Sequence, residues 1–238
     1  MMLQNLIFSY FGCKVKQNLC YFQIFSTKKH VIQHKSDINH FIYPRKQSFI
    51  NKLSLTLLHM KRIVLITGGQ RSGKSVQAEK MALSLTDKPV YLATAHIWDD
   101  EFRQRVNRHQ QRRGPQWTNI EEEKYLSRHD VTGRVVVVDC ITLWCTNFFF
   151  KQGAPEWEQP SVEDALKEIE EEFDRFTSQD ATFIFVTNEI GSGGVSTDAV
   201  QRRFTDLEGW MNQYVAAKAD EVILMVSGIA VEIKKMRD

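Results

Sequence analysis

The sequence predicts an α/β protein built on a mostly parallel sheet with helices on both faces. Two observations support this prediction. Short, continuously apolar runs, several of them rich in β-branched residues, recur from residue 63 onward, which is typical of strands that are buried on both faces. Segments with helical spacing separate these runs, as the crossovers of a parallel sheet require.

Five apolar runs are predicted to be strands. Each is short, is dominated by apolar side chains, and is separated from the next by a helical or polar segment. They are Ile63–Thr67, Val90–Thr94, Val135–Asp139, Thr182–Thr187 and Glu221–Ser227.

Five segments between these strands are predicted to be helices. The most regular is the fourth, in which Ala165, Ile169, Phe173 and Phe176 fall at helical spacing among acidic residues. The second is polar and rich in arginine, and the third is short and apolar. The helices are Lys74–Ser84, Asp99–Gln111, Leu143–Phe150, Glu163–Thr177 and Val200–Ala219.

The first 59 residues differ in character from the rest of the chain. They hold eight Lys and Arg but one acid, Asp37, and they show neither a helical nor a strand period. The pattern changes abruptly at Met60. We therefore expect residues 1–59 to be a poorly structured extension or an upstream reading of a protein that starts at Met60, with a targeting arm as the alternative. Residues 60–238 are predicted to form one folded domain.

Composition excludes several classes of protein. Apolar residues make up 42% and charged residues 25% of the chain, values that are ordinary for a soluble globular protein. No run approaches the roughly 20 apolar residues that span a bilayer, so we expect a cytoplasmic location. The basic residues of the amino-terminal arm are scattered rather than clustered, and therefore no nucleic-acid partner is expected.

A phosphate-binding loop follows the first predicted strand. The segment matches G-x-x-x-x-G-K-[ST] and opens a predicted helix, which is the context the motif needs. Backbone N–H groups and the helix amino terminus would face the phosphates, Lys74 would reach the β- and γ-phosphates, and Ser75 would ligate Mg²⁺. The predicted nucleotide-binding residues here are Gly68, Gly69, Gln70, Arg71, Ser72, Gly73, Lys74 and Ser75.

Acids and amides follow two other predicted strands. Asp139 ends the third strand, where an acid serves either as a second Mg²⁺ ligand or as a cap for the next helix. Asn188 and Glu189 follow the fourth strand and are candidates to face the substrate, because ligands bind beyond the carboxyl ends of parallel strands. An ordinary strand-to-helix turn explains Asn188 equally well.

His109 lies among cations in the second predicted helix. Nearby arginines favour the neutral imidazole, which is the form that a nucleophile or metal ligand needs. A solvated side chain on a polar helix is the alternative.

Together these residues resemble the bifunctional adenosylcobinamide kinase/adenosylcobinamide-phosphate guanylyltransferase family of cobalamin biosynthesis. The resemblance extends from Lys61 to about Lys235. The segments that carry it are Ile66–Ser75, Tyr91–Ala95, Asp99–Glu101, His109, Arg113, Trp117, Thr118, Glu121, Asp139–Thr142, Val186–Gly191 and Val226–Ile229.

The resemblance implies a two-step enzyme that uses GTP and/or ATP with Mg²⁺. The hydroxyl of the aminopropanol arm of adenosylcobinamide, a corrinoid, is first phosphorylated. His109 then takes GMP from GTP, releasing pyrophosphate, and passes it to the phosphorylated corrinoid to give adenosylcobinamide-GDP. The family pattern places against GTP a second group of residues, which are Ala93, Thr94, Ala95, Gln110, Gln111, Arg112, Arg113, Glu121 and Asp139.

Family members resemble RecA-like folds and assemble as trimers, so an oligomer is expected. Arg108 stands where many relatives carry a second histidine, which leaves His109 as the candidate nucleophile. Two other functions remain open. One is a P-loop small-molecule kinase without the guanylyl-transfer step, and the other is a nucleotide-binding regulatory module.

Overall fold

A computed structural model describes residues 61–97, 100–111, 113–150 and 160–235. Within 100–111 the side chains at positions 101, 102, 105 and 107–109 lie outside this description. The predicted segment 1–59, Arg112 and the side chain of His109 therefore fall outside the described part of the chain.

The described residues form a seven-stranded sheet in the order β3-β2-β4-β5-β1-β6-β7. Strands β1 to β6 pair in parallel, and β7 runs antiparallel to β6. The strands are β1 Arg62–Gly68, β2 Val90–Ala93, β3 Thr118–Glu121, β4 Val135–Asp139, β5 Thr182–Val186, β6 Glu221–Val226 and β7 Ile229–Lys235.

Five α-helices connect the described strands. They are α1 Lys74–Leu85, α2 Asp100–Gln111, α3 Ile141–Phe149, α4 Val162–Thr177 and α5 Ala199–Lys218. Side chains cap two of them, since Ser161 accepts from the N–H of Asp164 at the start of α4 and Asp198 accepts from the N–H of Gln201 at the start of α5. Two 3₁₀ turns, Leu126–Arg128 and Ile190–Gly193, complete the described elements.

Helices cover both faces of the sheet. In β1 the side chains of Ile63 and Leu65 pack in one buried cluster with α3, α4 and α5. Those of Val64 and Ile66 pack in a second cluster that includes Ala78 and Ala82 of α1. This alternation puts adjacent residues of one strand into two separate cores, and it confirms the predicted α/β fold with a mostly parallel, doubly covered sheet.

Every predicted strand and helix is present, with shifts of one or two residues at most ends. Two strands escaped prediction. Strand β3 lies at one edge of the sheet and carries mostly exposed polar residues, and all residues of β7 at the other edge are exposed. Strand β3 lacks the apolar run that marks an interior strand, and β7 carries Ile229, Val231 and Ile233 but buries none of them.

The strand order decides which loops meet. Strand β5 pairs with β1 on one side and with β4 on the other. The carboxyl ends of these three parallel strands therefore lie side by side at one edge of the sheet. Those ends carry the phosphate-binding loop, the segment beginning at Thr187, and Asp139.

Candidate active site

The phosphate-binding loop has a backbone that only certain residues can adopt. Gly68 has φ 146°, and a Cβ at this position would lie 2.4 Å from the carbonyl oxygen of Met225 in the adjacent strand β6. Gly73, at the amino terminus of α1, has φ 99°. A residue with a side chain would be strained at both positions, which explains why the motif needs glycine there.

The amino terminus of α1 is suited to bind an anion. No side-chain hydrogen bond caps this end of the described helix, and no acid occupies its first turn. The free N–H groups and the helix dipole favour a negatively charged ligand. Among the described residues the hydroxyl of Ser72 is buried without a hydrogen-bond partner, and it provides a further polar group within the same loop.

Lys74 is buried and folds back over the loop. Its Nζ donates to the carbonyl oxygens of Gly68 at 2.9 Å and Gly69 at 2.6 Å. The backbone N–H of Gly228, in the turn between β6 and β7, donates to the carbonyl oxygen of Ser72 at 2.9 Å. The loop is thus held from inside by a lysine and from outside by the last hairpin of the sheet.

A cavity of about 600 Å³ opens in front of this loop. This volume falls within the range of small-molecule sites in proteins. Of the predicted nucleotide-binding residues, those that line it are Gln70, Arg71, Ser72, Gly73, Lys74, Ser75, Ala93, Ala95, Gln110, Arg113, Glu121 and Asp139.

Tyr91 contacts both Asp139 and Arg113 at the cavity wall. Its hydroxyl donates to Oδ2 of Asp139 at 2.6 Å, and the guanidinium carbon of Arg113 lies 3.5 Å from the centre of its ring. Burial raises the pKa of Tyr91 well above its usual value, and the charge of Asp139 raises it further, so the hydroxyl stays a donor. The Nε of Arg113 donates to Asn119 Oδ1 at 2.8 Å, which fixes the guanidinium at the cavity wall.

Helix α2 supplies another wall. Val106 and Gln110 line the cavity, and Gln110 Nε2 donates to Glu121 Oε1 at 3.2 Å. His109 belongs to this helix, between the two lining residues, while its side chain lies outside the description. The catalytic role of His109 therefore stays a prediction.

The end of β5 lies between the loop and Asp139. Thr67 donates its hydroxyl to Glu189 Oε1 at 2.5 Å, and the N–H of Glu189 donates to the carbonyl oxygen of Gly68 at 3.2 Å. Asn188, Glu189 and Ile190 all line the cavity. The two candidates named from the sequence after this strand, Asn188 and Glu189, are therefore placed beside the phosphate-binding loop.

Four of the other predicted residues are not at the cavity wall. Thr94 is fully buried, and its hydroxyl joins β2 to β4 by donating to the carbonyl oxygen of Cys140 at 2.8 Å and accepting from the N–H of Cys140 at 2.9 Å. Gly68 is buried and Gly69 is exposed at the start of the loop, and Gln111 is exposed at the end of α2. The neighbours of Thr94, Ala93 and Ala95, do line the cavity because side chains alternate along an extended segment.

Sequence reasoning missed two of the polar residues that line the cavity. Tyr91 lay within a recognised segment, but nothing in its apolar strand indicated a hydrogen bond to Asp139. Asn119 lies on β3, the unpredicted edge strand. Both become visible only when strand pairing is known.

The residues present fit Mg²⁺ that is held mainly by phosphate. Ser75 offers a hydroxyl and Asp139 a half-buried carboxylate on the same cavity. Within the described ranges no group of three His, Cys, Asp or Glu side chains could hold a metal ion. Mg²⁺ commonly uses one or two protein oxygens together with substrate phosphates and water, so this donor set is sufficient.

A phosphate-binding loop between a central parallel strand and a helix, facing a cavity of this kind, defines a P-loop nucleotide-binding protein. The sequence model of the cobinamide kinase / cobinamide phosphate guanyltransferase family matches residues 64–233, and the chain belongs to this family. The family resemblance of the sequence motifs is thereby confirmed.

Curated relatives agree with this assignment. The bifunctional adenosylcobalamin biosynthesis protein CobU of Escherichia coli is 37% identical over 181 residues, covering 72% of this chain and 99% of the relative. The bifunctional adenosylcobalamin biosynthesis protein CobP of Pseudomonas aeruginosa is 33% identical over 176 residues, covering 71% of this chain and 96% of the relative.

The flagellar accessory protein FlaH from Methanocaldococcus jannaschii is one of the solved structures that resemble this chain. It shows 16% identity and a TM-score of 0.40, with 75% of this chain and 80% of that chain covered. Because this TM-score is low, the fold is assigned from the strand order of the sheet and not from the similarity to this structure. No helix in the described part of the chain has the length and apolar character that crossing a membrane requires.

Proposed function

We propose that this protein phosphorylates adenosylcobinamide with a nucleoside triphosphate and then transfers GMP from GTP to the product, through a guanylyl-histidine at His109, to give adenosylcobinamide-GDP. The observation that supports this most directly is the shared cavity. One cavity is bounded by the phosphate-binding loop and by α2, the helix that contains His109. A single site would then serve both reactions.

In the kinase step the corrinoid hydroxyl attacks the γ-phosphorus, the bond to the β-phosphate oxygen breaks, and the hydroxyl proton is released. Lys74 would move from the carbonyl oxygens that it now contacts to the β- and γ-phosphates, where its charge stabilises the charge of the transferring group. The N–H groups at the start of α1 would bind the same phosphates. Asn188 and Glu189 would face the corrinoid arm from the end of β5.

In the guanylyl step an imidazole nitrogen of His109 attacks the α-phosphorus of GTP, and pyrophosphate leaves. A phosphate oxygen of the phosphorylated corrinoid then attacks the same phosphorus, and the bond to the histidine nitrogen breaks. Covalent catalysis divides one difficult transfer into two easier ones. Arg113, held by Asn119 and by the Tyr91 ring, and Arg112 beside it in the sequence would stabilise the charge on the α-phosphoryl group.

Mg²⁺, when bound, would neutralise charge on the phosphates. Ser75 and Asp139 would hold it, and the Tyr91 hydroxyl would keep the Asp139 carboxylate oriented toward the cavity. We propose the remaining nucleotide contacts, including those of Gln111 and Thr94, from the family pattern alone. Thr94 would act through the position of Ala93 and Ala95.

The test supplies purified protein with adenosylcobinamide and Mg²⁺ and identifies the corrinoid products by mass spectrometry. With ATP alone we expect the phosphorylated corrinoid where ATP serves the kinase step, and unchanged corrinoid where only GTP serves it. With GTP present we expect adenosylcobinamide-GDP together with pyrophosphate. A product that stops at the phosphate even with GTP would favour the plain kinase, and triphosphate binding without any corrinoid product would favour a regulatory module.

We also infer a homo-oligomer, a trimer by family resemblance, in the cytoplasm. The edge strand β7 supports self-association, because Ile229, Val231 and Ile233 are exposed there and exposed edge strands pair readily with other chains. Size-exclusion chromatography with multi-angle light scattering measures the mass of the purified protein, which is 27.7 kDa for one chain. A single peak at the mass of one chain would contradict this inference.

A further inference from the structure

Glu208 is a buried acid that the proposed chemistry does not use. It lies on α5 and is 1% exposed, and its Oε1 accepts a hydrogen bond from the hydroxyl of Thr142 at 2.7 Å. The backbone N–H of Ile190 faces the same carboxylate and lowers the pKa of Glu208. Ile190 lines the cavity, so Glu208 lies directly behind the cavity wall.

Thr142 passes this contact on to Asn188. Its hydroxyl oxygen accepts from the backbone N–H of Asn188 at 3.1 Å and from the side-chain Nδ2 of Asn188 at 2.9 Å. A hydroxyl has one proton and two lone pairs. Because Asn188 occupies both lone pairs, the proton of Thr142 must point to Glu208. Asn188 therefore donates to Thr142, and Thr142 donates to Glu208.

A second residue of α5 holds the same segment. Asn212, one helical turn after Glu208, accepts from the Thr187 hydroxyl at 2.7 Å and donates to the carbonyl oxygen of Asn188 at 2.9 Å. Positions four apart lie on one face of a helix. One face of α5 therefore fixes the segment from Thr187 to Ile190 against the phosphate-binding loop.

We infer that Glu208 is a positioning residue whose ionised carboxylate holds Asn188 and Ile190 at the cavity wall, so that catalysis weakens when Glu208 is protonated. The inference rests on the proposed function. The ionised carboxylate is a charged acceptor for both of its donors, whereas the protonated acid is a neutral and weaker acceptor whose own proton also needs a partner. Protonation thus weakens the contacts that fix the wall.

The surroundings of Glu208 set the pH at which this happens. Burial raises its pKa to about 7, the charge of Glu189 raises it, and the hydrogen bonds from Thr142 and Ile190 and the charge of Lys74 lower it. The thiols of Cys140 and Cys145 also face it, and burial raises their pKa values so that both stay neutral near pH 7. Glu208 is therefore the group behind the wall that changes its charge near neutral pH within the described part of the chain.

The test supplies both ATP and GTP and compares pH profiles of corrinoid-dependent GTP consumption between pH 5.5 and 8.5 for the wild type, Glu208→Gln and Glu172→Gln. The amide in Glu208→Gln is a neutral acceptor at every pH, so we expect about a tenfold loss of kcat/KM at pH 8 that shrinks to about twofold or less below pH 6. Glu172 is equally buried and also accepts a backbone N–H, from Ser127, but it lies on α4 away from the cavity. Its Gln variant should keep the wild-type shape of the profile.

A second pair of variants covers the case in which Glu208→Gln folds poorly. Thr142→Val removes the hydroxyl between Glu208 and Asn188 and should reproduce the loss, whereas Thr142→Ser should restore most of the activity. The double variant Glu208→Gln, Thr142→Val should lose no more than either single variant. Equal loss from Glu208→Gln at pH 6 and pH 8, or additive losses in the double variant, would overturn the inference. A wild type without corrinoid-dependent GTP consumption at any pH would instead refute the proposed function.

Discussion

The ionisation of Glu208 should be visible in stability before any activity is measured. A free glutamate has a pKa of 4.5, and in the folded protein the pKa of Glu208 is about 7. Each pKa unit corresponds to about 1.4 kcal/mol, so the shift amounts to about 3 kcal/mol. An acid whose pKa rises on folding makes a contribution to stability that is complete below pH 4.5 and is lost as the pH rises through 7.

The perturbation is Glu208→Gln, which removes the titrating group. We expect the free energy of unfolding of the wild type, taken relative to this variant at each pH, to fall by about 3 kcal/mol between pH 5 and pH 8. Denaturant titrations at half-unit pH steps measure the difference, and the comparison cancels carboxyl groups that both proteins share. Glu172→Gln is the control, and it should lose stability because Arg175 loses the carboxylate that its Nη2 contacts at 3.0 Å. A difference between wild type and Glu208→Gln that stays constant with pH, or that grows as the pH rises, would refute the reasoning.

Three further predictions concern the loop and the cavity. Lys74→Met should lower the rate of both transfer steps by about 100-fold in steady-state assays, because loss of a donor to transition-state charge commonly has this effect. Lys80→Met, on the exposed side of α1, is the control and should keep the wild-type rates. Equal rates for the two variants would contradict the role of Lys74. Gly68→Ala should destabilise the fold by at least about 2 kcal/mol in denaturant titrations, because its Cβ would lie 2.4 Å from a backbone oxygen. Gly69→Ala is the control, since no atom lies within 4 Å of its Cβ. Similar losses of stability from both variants would contradict the clash at Gly68. Tyr91→Phe should cost about 1.5 kcal/mol of unfolding free energy, since it removes a hydrogen bond to a carboxylate, and thermal melts that match the wild type would show that the bond to Asp139 is unimportant.

Much of the fold was predictable from local patterns. The interior strands are apolar on both faces, so each produced a continuous apolar run, such as Val135–Val138 in β4 and Phe183–Val186 in β5. Strand β7 could not be predicted in this way, because its residues are exposed and its partner β6 alone fixes its position. The antiparallel hairpin depends on the turn at Ser227 and Gly228, where both residues have positive φ.

Site residues could be predicted where their role depends on the local backbone conformation. They could be predicted less well where their role depends on a contact with a residue that is distant in the sequence. The loop from Gly68 to Ser75 is recognisable in the sequence because its backbone conformation requires glycine at fixed positions. Thr94 illustrates the opposite case, since its buried hydroxyl serves the junction of β2 and β4, and strand pairing rather than sequence decides that. Glu208 gave no signal at all in the sequence, because its role depends on α5 packing behind β5.

On the proposed mechanism, one cavity serves both the triphosphate and a histidine that carries GMP. The most direct measurement incubates the protein with α-labelled GTP and Mg²⁺, separates it from free nucleotide under denaturing conditions, and locates the label. We expect an acid-labile label on His109 that persists in His96→Ala, is absent from His109→Ala, and is discharged by adenosylcobinamide phosphate. Equal labelling of the His109→Ala protein, or no label on the wild type, would contradict the covalent mechanism.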